Sequence, residues 1–208
     1  MSNFGKRLRS AGQITPPERV GDPWQGGFYA GQISVGGTTW GLVVAPRATG
    51  YTETQPMNTA TGVNTTAFSR WDGVGNMDLM VGAAWPAANW ARGLTIGGFS
   101  DWHLPAEDQL DLCYRSFRPV NAPNTSWGEN PSMVPPKGNY TSTDPAATTV
   151  PAFMAGGEED FTANVYAVVS PGTTATTHRL INFNGGVRMN GQTNANRMWR
   201  AVRMVRIG

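Results

Sequence analysis

The chain has 208 residues and a formal charge of +2; 39% of its residues are hydrophobic, only 14% are charged, and one is a cysteine. A single thiol excludes a disulfide framework and a cysteine-rich zinc knuckle, and 26 glycines scattered without a three-residue period exclude collagen. A chain of this length can bury roughly 70% of its unfolded surface, so one substantial domain is the default and two small ones the alternative, and 10% aromatic content argues against disorder.

The charge is unevenly placed. The 16 basic residues are 14 Arg and 2 Lys, no Asp or Glu follows Asp160, and six arginines do. Arginines spaced along alternating strands serve ion pairing, carbonyl capping or subunit contacts, and with no nucleic-acid motif in the chain no nucleic-acid partner is expected. Residues 1–20 contain no apolar run of signal-peptide length, and no stretch of about 18 apolar residues occurs anywhere, so the expectation is synthesis in a cytoplasm without membrane insertion.

In chain order, residues 1–25 carry Lys6, Arg7, Arg9 and the Pro16–Pro17 pair without periodicity, and read as an extended arm with Phe4, Ile14 and Val20 as anchors. A frayed terminus and a docking tether fit this composition equally. Residues 28–33 and 38–45 form a hairpin around the Gly36–Gly37 turn, stopped by Pro46. Residues 47–84 read as loop with one short element around 77–81. Pro86 opens a short helix that Gly93 ends. A longer helix follows Pro105: Glu107 and Asp108 suit its first turn, Arg115 and Arg118 its last, and Leu110, Cys113, Tyr114 and Phe117 form an apolar stripe. Residues 119–160 are proline-rich and aperiodic, a loop longer than a compact domain usually carries and of the kind that is either functional or disordered. Strands are expected at 164–170, 178–184 and 199–207. Hairpin, helices, long loop and strands make an α+β chain.

Chemistry has few places to sit. His103 and His178 are the only histidines, neither has a nucleophile beside it in the sequence, and Cys113 lies on the apolar stripe, so no catalytic residue and no enzyme activity are expected. Asp72, Asn76 and Asp78 crowd oxygen ligands into WDGVGNMD (71–78), but the spacing matches no EF-hand and Asx-rich loops make turns, so no metal or cofactor is assigned. The run Glu158, Glu159, Asp160 reads as a solvated turn. Sugar contact suits the loops better, since aromatic faces with Asn, Asp and Glu bind saccharides. The candidates are Trp71 and Asp72 in the earlier loop and Trp127, Glu129, Asn130 and Tyr140 in the long one; the bland alternative is that these aromatics pin loops to the core.

The segments GGFYAGQI (26–33), WGLVVAPRATG (40–50), ARGLTIGGFSDWHLPAEDQLDLCYRSFRP (91–119), NPSMVPPKGNYT (130–141) and RAVRMVRIG (200–208) together resemble the Lcl C-terminal-like domain family, versions of which recur in tailed-phage virions. The resemblance implies a C-type-lectin-like domain over 26–208, with ligand contact in the loop region 119–165. It implies a virion protein of the tail tip or fibre, docking onto other tail proteins through residues 1–25, expected as a homotrimer, with a host-surface glycan as a further partner. A bacterial carbohydrate-binding adhesion module is the alternative. The chain departs from the family in having YAVVSPG (166–172) where relatives carry a Trp-Ser-Ser-Thr run. It also lacks the Glu-Pro-Asn or Gln-Pro-Asp and Trp-Asn-Asp signatures of calcium-dependent lectins, so calcium-mediated sugar binding is not implied. Formylglycine-generating enzymes share the broad fold but depend on cysteine chemistry that a lone apolar-face Cys113 does not suit.

Overall fold

In a computed structural model, which describes residues 14–58, 68–125, 127–174 and 176–207, helices are mixed with two sheets. The first has strand order β1-β2-β3-β9, from Pro23–Trp24, Gly27–Val35, Thr38–Val44 and Val202–Arg206. The second has order β4-β8-β5-β6-β7, from Tyr51–Thr54, Arg197–Arg200, Val165–Pro171, Thr177–Asn182 and Arg188–Gln192. Between them in sequence stand α1 (Arg47–Gly50), α2 (Gly73–Asp78), α3 (Pro86–Arg92) and α4 (Glu107–Phe117).

The β2–β3 hairpin turns where expected, because Gly36 and Gly37 both take positive φ (57° and 78°), the geometry of a two-residue turn that follows strand twist. α3 begins at Pro86, whose missing N–H costs nothing at a first helical position, and ends at Gly93. α2 is displaced from the expected 77–81 by its cap: Asp72 Oδ1 accepts from Gly75 N at 2.9 Å, which starts the helix at Gly73.

The expected final strand, 199–207, is two strands in different sheets. At Ala201, fully buried, the backbone leaves β8 and enters β9; Ala201 N donates to Gly50 O (2.9 Å) and its own carbonyl accepts from Ala45 N (3.0 Å). Period-two alternation continues through such a crossing, so it is invisible to pattern reading. Strands β1, β4 and β7 were also unforeseen: the first two are two and four residues long, and β7 (RMNGQ) is mostly polar.

Because side chains alternate, the inner strands of the second sheet, β5, β6 and β8, are covered on both faces, while the edge strands β4 and β7 stay partly exposed. Tyr166, Val168 and Ile181 meet α4 and the first sheet in the main core with Ala30, Leu42, Leu110, Cys113 and Phe117, whereas Ala167, Val169, Leu180 and Trp199 meet Met77, Ala87, Ala88 and Ala91 near α2 and α3. Aromatic stacking anchors the end of the long loop: Phe153 lies on Phe117 (centroids 3.8 Å apart) and Phe161 on Phe183 (4.4 Å).

The 158–160 run is not a solvated turn. Only Glu158 is exposed. Glu159 accepts from the fully buried Arg200 and, at 2.7 Å, from Arg47 N, while Asp160 pairs with Arg47 at 2.6 Å. Burial lowers the pKa of Arg200 to about 10, and the Glu159 carboxylate opposes that shift.

Of the expected arm, residues 1–13 lie outside the described residues. Residues 20–25 belong to the folded body: Val20 packs on the main core, Gly21 N donates to Tyr29 O (2.8 Å), and β1 pairs with β2. Among the described residues no helix is long and apolar enough to cross a membrane.

Candidate functional site

The site grows from the polar side of α4. The sequence suggests an amphipathic helix with a wet face, but Glu107, Asp108, Gln109 and Asp111 are buried along with the apolar stripe. The first N–H groups of the helix find tertiary partners, Glu107 N donating to Ser170 Oγ (2.9 Å) and Asp108 N to Arg70 O (2.8 Å), while the N-cap Ala106 N donates locally to the Gln109 side chain (2.9 Å). The two acidic residues of the first turn also sit favourably at the positive end of the helix dipole.

Asp111, fully buried, is the hub. Its Oδ1 accepts from Arg188 Nη2 (2.9 Å) and from the Tyr140 hydroxyl, and its Oδ2 from Arg115 Nε (2.9 Å) and Asn130 Nδ2 (2.8 Å). Four donors saturate the carboxylate, the condition under which a buried charge is tolerable. Asp108 accepts from Ser132 Oγ (2.7 Å) and Arg70 Nη2 (3.2 Å); burial raises its pKa, with the Ser132 bond and Arg70 opposing. Burial disfavours the Arg188 cation, but Asp111, Tyr140 and Glu107 outweigh that and raise its pKa.

These groups fasten the long loop. Arg115 lies over the Tyr140 ring (4.6 Å) and donates to Gly128 O and to Gly138 O (2.8 Å). Asn139 Oδ1 accepts from Gly128 N and Glu129 N, both at 3.1 Å. Gly128 has φ +148° and lies so close to Tyr140 that a Cβ would fall 2.2 Å from its ring. Loop 127–140 is thus held from below by α4.

Between this loop and β6–β7 opens a cleft of about 610 Å³, lined by Arg70, Glu107, Trp127, Glu129, Arg179 and Arg188, among others, within the usual range for ligand sites. Arg188 Nη1 donates to Glu107 Oε1 at 2.9 Å, whereas Arg70 and Arg179 stand 3.8 and 3.9 Å from that carboxylate and remain 42% and 34% exposed. Trp127 is 73% exposed at the rim, the largest aromatic exposure among the described residues.

Two of the six sequence candidates, Trp127 and Glu129, line the cleft. Asn130 and Tyr140 lie beneath it, buried, with their side-chain bonds turned inward to α4. Asp72 caps α2, and Trp71, 44% exposed, does not line the cleft. The bland reading of the loop aromatics therefore describes Tyr140, and the recognition reading stays open to Trp127. Arg70, Arg179, Arg188 and Glu107 are not site candidates in the sequence reading; the acid-free run of arginines after Asp160 is a signal for Arg179 and Arg188, whereas Glu107 reads only as a first-turn acid of the helix and Arg70 carries no signal.

Elsewhere, His103 is 3% and His178 6% exposed; burial lowers their pKa values to about 4 and about 3. Arg197 adds to the lowering at His178, which stacks on Trp199. Burial pushes the Cys113 thiol well above its ordinary pKa. Among the described residues no three His, Cys, Asp or Glu side chains converge as metal ligands. No family model and no curated protein matches the chain.

Proposed function

We propose that this chain is a non-enzymatic recognition protein of a tailed-phage virion, a C-type-lectin-like domain of the tail tip or fibre that attaches to the bacterial surface or joins neighbouring tail proteins. The observation that carries the reading is the cleft beside the long loop. A rim tryptophan 73% exposed to water, on a loop pinned by buried charge pairs and facing Arg179 and Arg188 of β6 and β7 across the cleft, suits recognition of a surface saccharide. The five family-like segments supply the virion context, and the segment ahead of Val20 is its docking element.

Adsorption assays test this with the full chain as competitor for phage binding to bacterial cells, alongside light scattering and co-purification with virions. The expected result is a homotrimer that adheres to host cells, with adherence reduced by Trp127→Ala. A monomer that neither adheres nor co-purifies with tail proteins overturns the proposal.

A further inference from the structure

The cleft looks like an anion trap, since three arginines line it. The pairing behind them says otherwise. Arg188 is bound to Glu107 and Asp111, Arg70 to Asp108, and Arg115 to Asp111, while Arg179 has Glu107 as its nearest carboxylate. Counting the lining and the layer behind it, four guanidiniums (Arg70, Arg115, Arg179, Arg188) face four carboxylates (Glu107, Asp108, Asp111, Glu129), a formal sum of zero.

From this balance we infer that the cleft selects neutral, hydroxyl-rich saccharides over acidic ones, an inference that rests on the recognition reading above. The guanidiniums act as oriented hydrogen-bond donors. Arg188 is 13% exposed and held by Glu107, Asp111 and the Glu129 carbonyl, so its direction is set before any ligand arrives and its second Nη1 hydrogen is left to donate. Arg70 and Arg179 make no hydrogen bond to the Glu107 carboxylate they flank at 3.8 and 3.9 Å; Arg70 donates to Asp108 (3.2 Å) and Arg179 to Asn190 (3.4 Å), and as the most exposed arginines of the cleft they keep further guanidinium N–H groups for a ligand. Glu129, exposed on the loop, offers the acceptor that a sugar hydroxyl needs and a carboxylate ligand would be repelled by. Trp127 supplies the flat apolar surface for a pyranose face. A ligand with its own negative charge would find no uncompensated positive charge to neutralise, whereas hydroxyl groups can both donate and accept here.

The test is binding of the full chain to a panel of neutral galactose-, glucose-, mannose- and N-acetylglucosamine-terminated oligosaccharides beside their sialylated and sulfated counterparts, at about 50 and about 300 mM NaCl. Expected are preference for a neutral member, affinity changing less than about twofold between the two salts, and loss of about tenfold in Trp127→Ala. Glu129→Lys, on an exposed rim position that leaves the buried pairs intact, should shift preference towards the acidic counterparts. Binding confined to acidic members, falling steeply with salt, overturns the inference and leaves the recognition reading standing. Binding to no member overturns saccharide recognition at this cleft, and the inference with it.

Discussion

Replacing Asp111 by alanine removes the acceptor of four donors at once. Arg188 and Tyr140 lose Oδ1, and Arg115 and Asn130 lose Oδ2. None of these donors can turn to water: Asn130 is fully buried, Tyr140 3% exposed, and the Arg115 and Arg188 side chains 7% and 13%. Breaking a buried pair by removing one partner costs about 3–5 kcal/mol, a large part of the roughly 5–15 kcal/mol that holds a domain folded. In urea, with an m-value near 2 kcal/mol per M, the midpoint should fall by about 2 M at unchanged m. Amide exchange in 127–140 should rise well beyond that of β2 and β3, because the loop's attachments to α4 are what is lost. Adding Arg188→Leu to Asp111→Ala should deepen the loss, since Arg188 still pairs with Glu107 at 2.9 Å and the buried Glu107 would lose that partner. A loss below about 1 kcal/mol for the single variant would refute the reasoning, because surface pairs cost that little.

Three further outcomes follow from the buried groups. Glu159→Ala strands the fully buried Arg200 and should cost about 3 kcal/mol or more in denaturant unfolding, whereas Glu158→Ala next to it should stay within about 0.5 kcal/mol; equal effects would restore the solvated-turn reading. His178 and His103 have folded pKa values of about 3 and about 4, below the ordinary 6.5. Above pH 6.5 both are neutral folded or unfolded. As pH falls from there towards 4, the unfolded chain binds the extra protons and stability drops by about 1.4 kcal/mol per pH unit per histidine. His178→Phe, keeping the stack on Trp199, should remove one proton from that slope in urea titrations across pH, and an unchanged slope would count against it. Cys113 should react with a thiol reagent only on unfolding, since it is fully buried with a raised pKa; prompt labelling of native protein would contradict that burial.

Local signals located much of the framework. Gly36–Gly37, Pro86 with Gly93, and the stripe Leu110, Cys113, Tyr114, Phe117 each act within a few residues of chain, where turn geometry and helical period apply directly. At the site, Trp127 and Glu129 were legible as loop residues with recognition chemistry, but Asn130 and Tyr140, of the same types in the same loop, turn inward instead. Composition cannot separate the two pairs, because the difference lies in whether Asp111, some twenty to thirty residues away, is there to accept their donors.

The sequence by itself determined a single-cysteine, mixed helix-and-strand domain with a long loop and a run of arginines lacking nearby acids. Only the tertiary structure decided where those arginines find carboxylates: Arg188 at Glu107 and Asp111 of α4, Arg200 at Glu159 of the loop's end, and Arg203 at Asp101. It also split the last strand between two sheets at Ala201. The physical reason is range. Turns and helix ends are set by dihedral preferences over a few residues, whereas a buried charge can be satisfied by any partner the fold brings within about 4 Å, however distant in the chain.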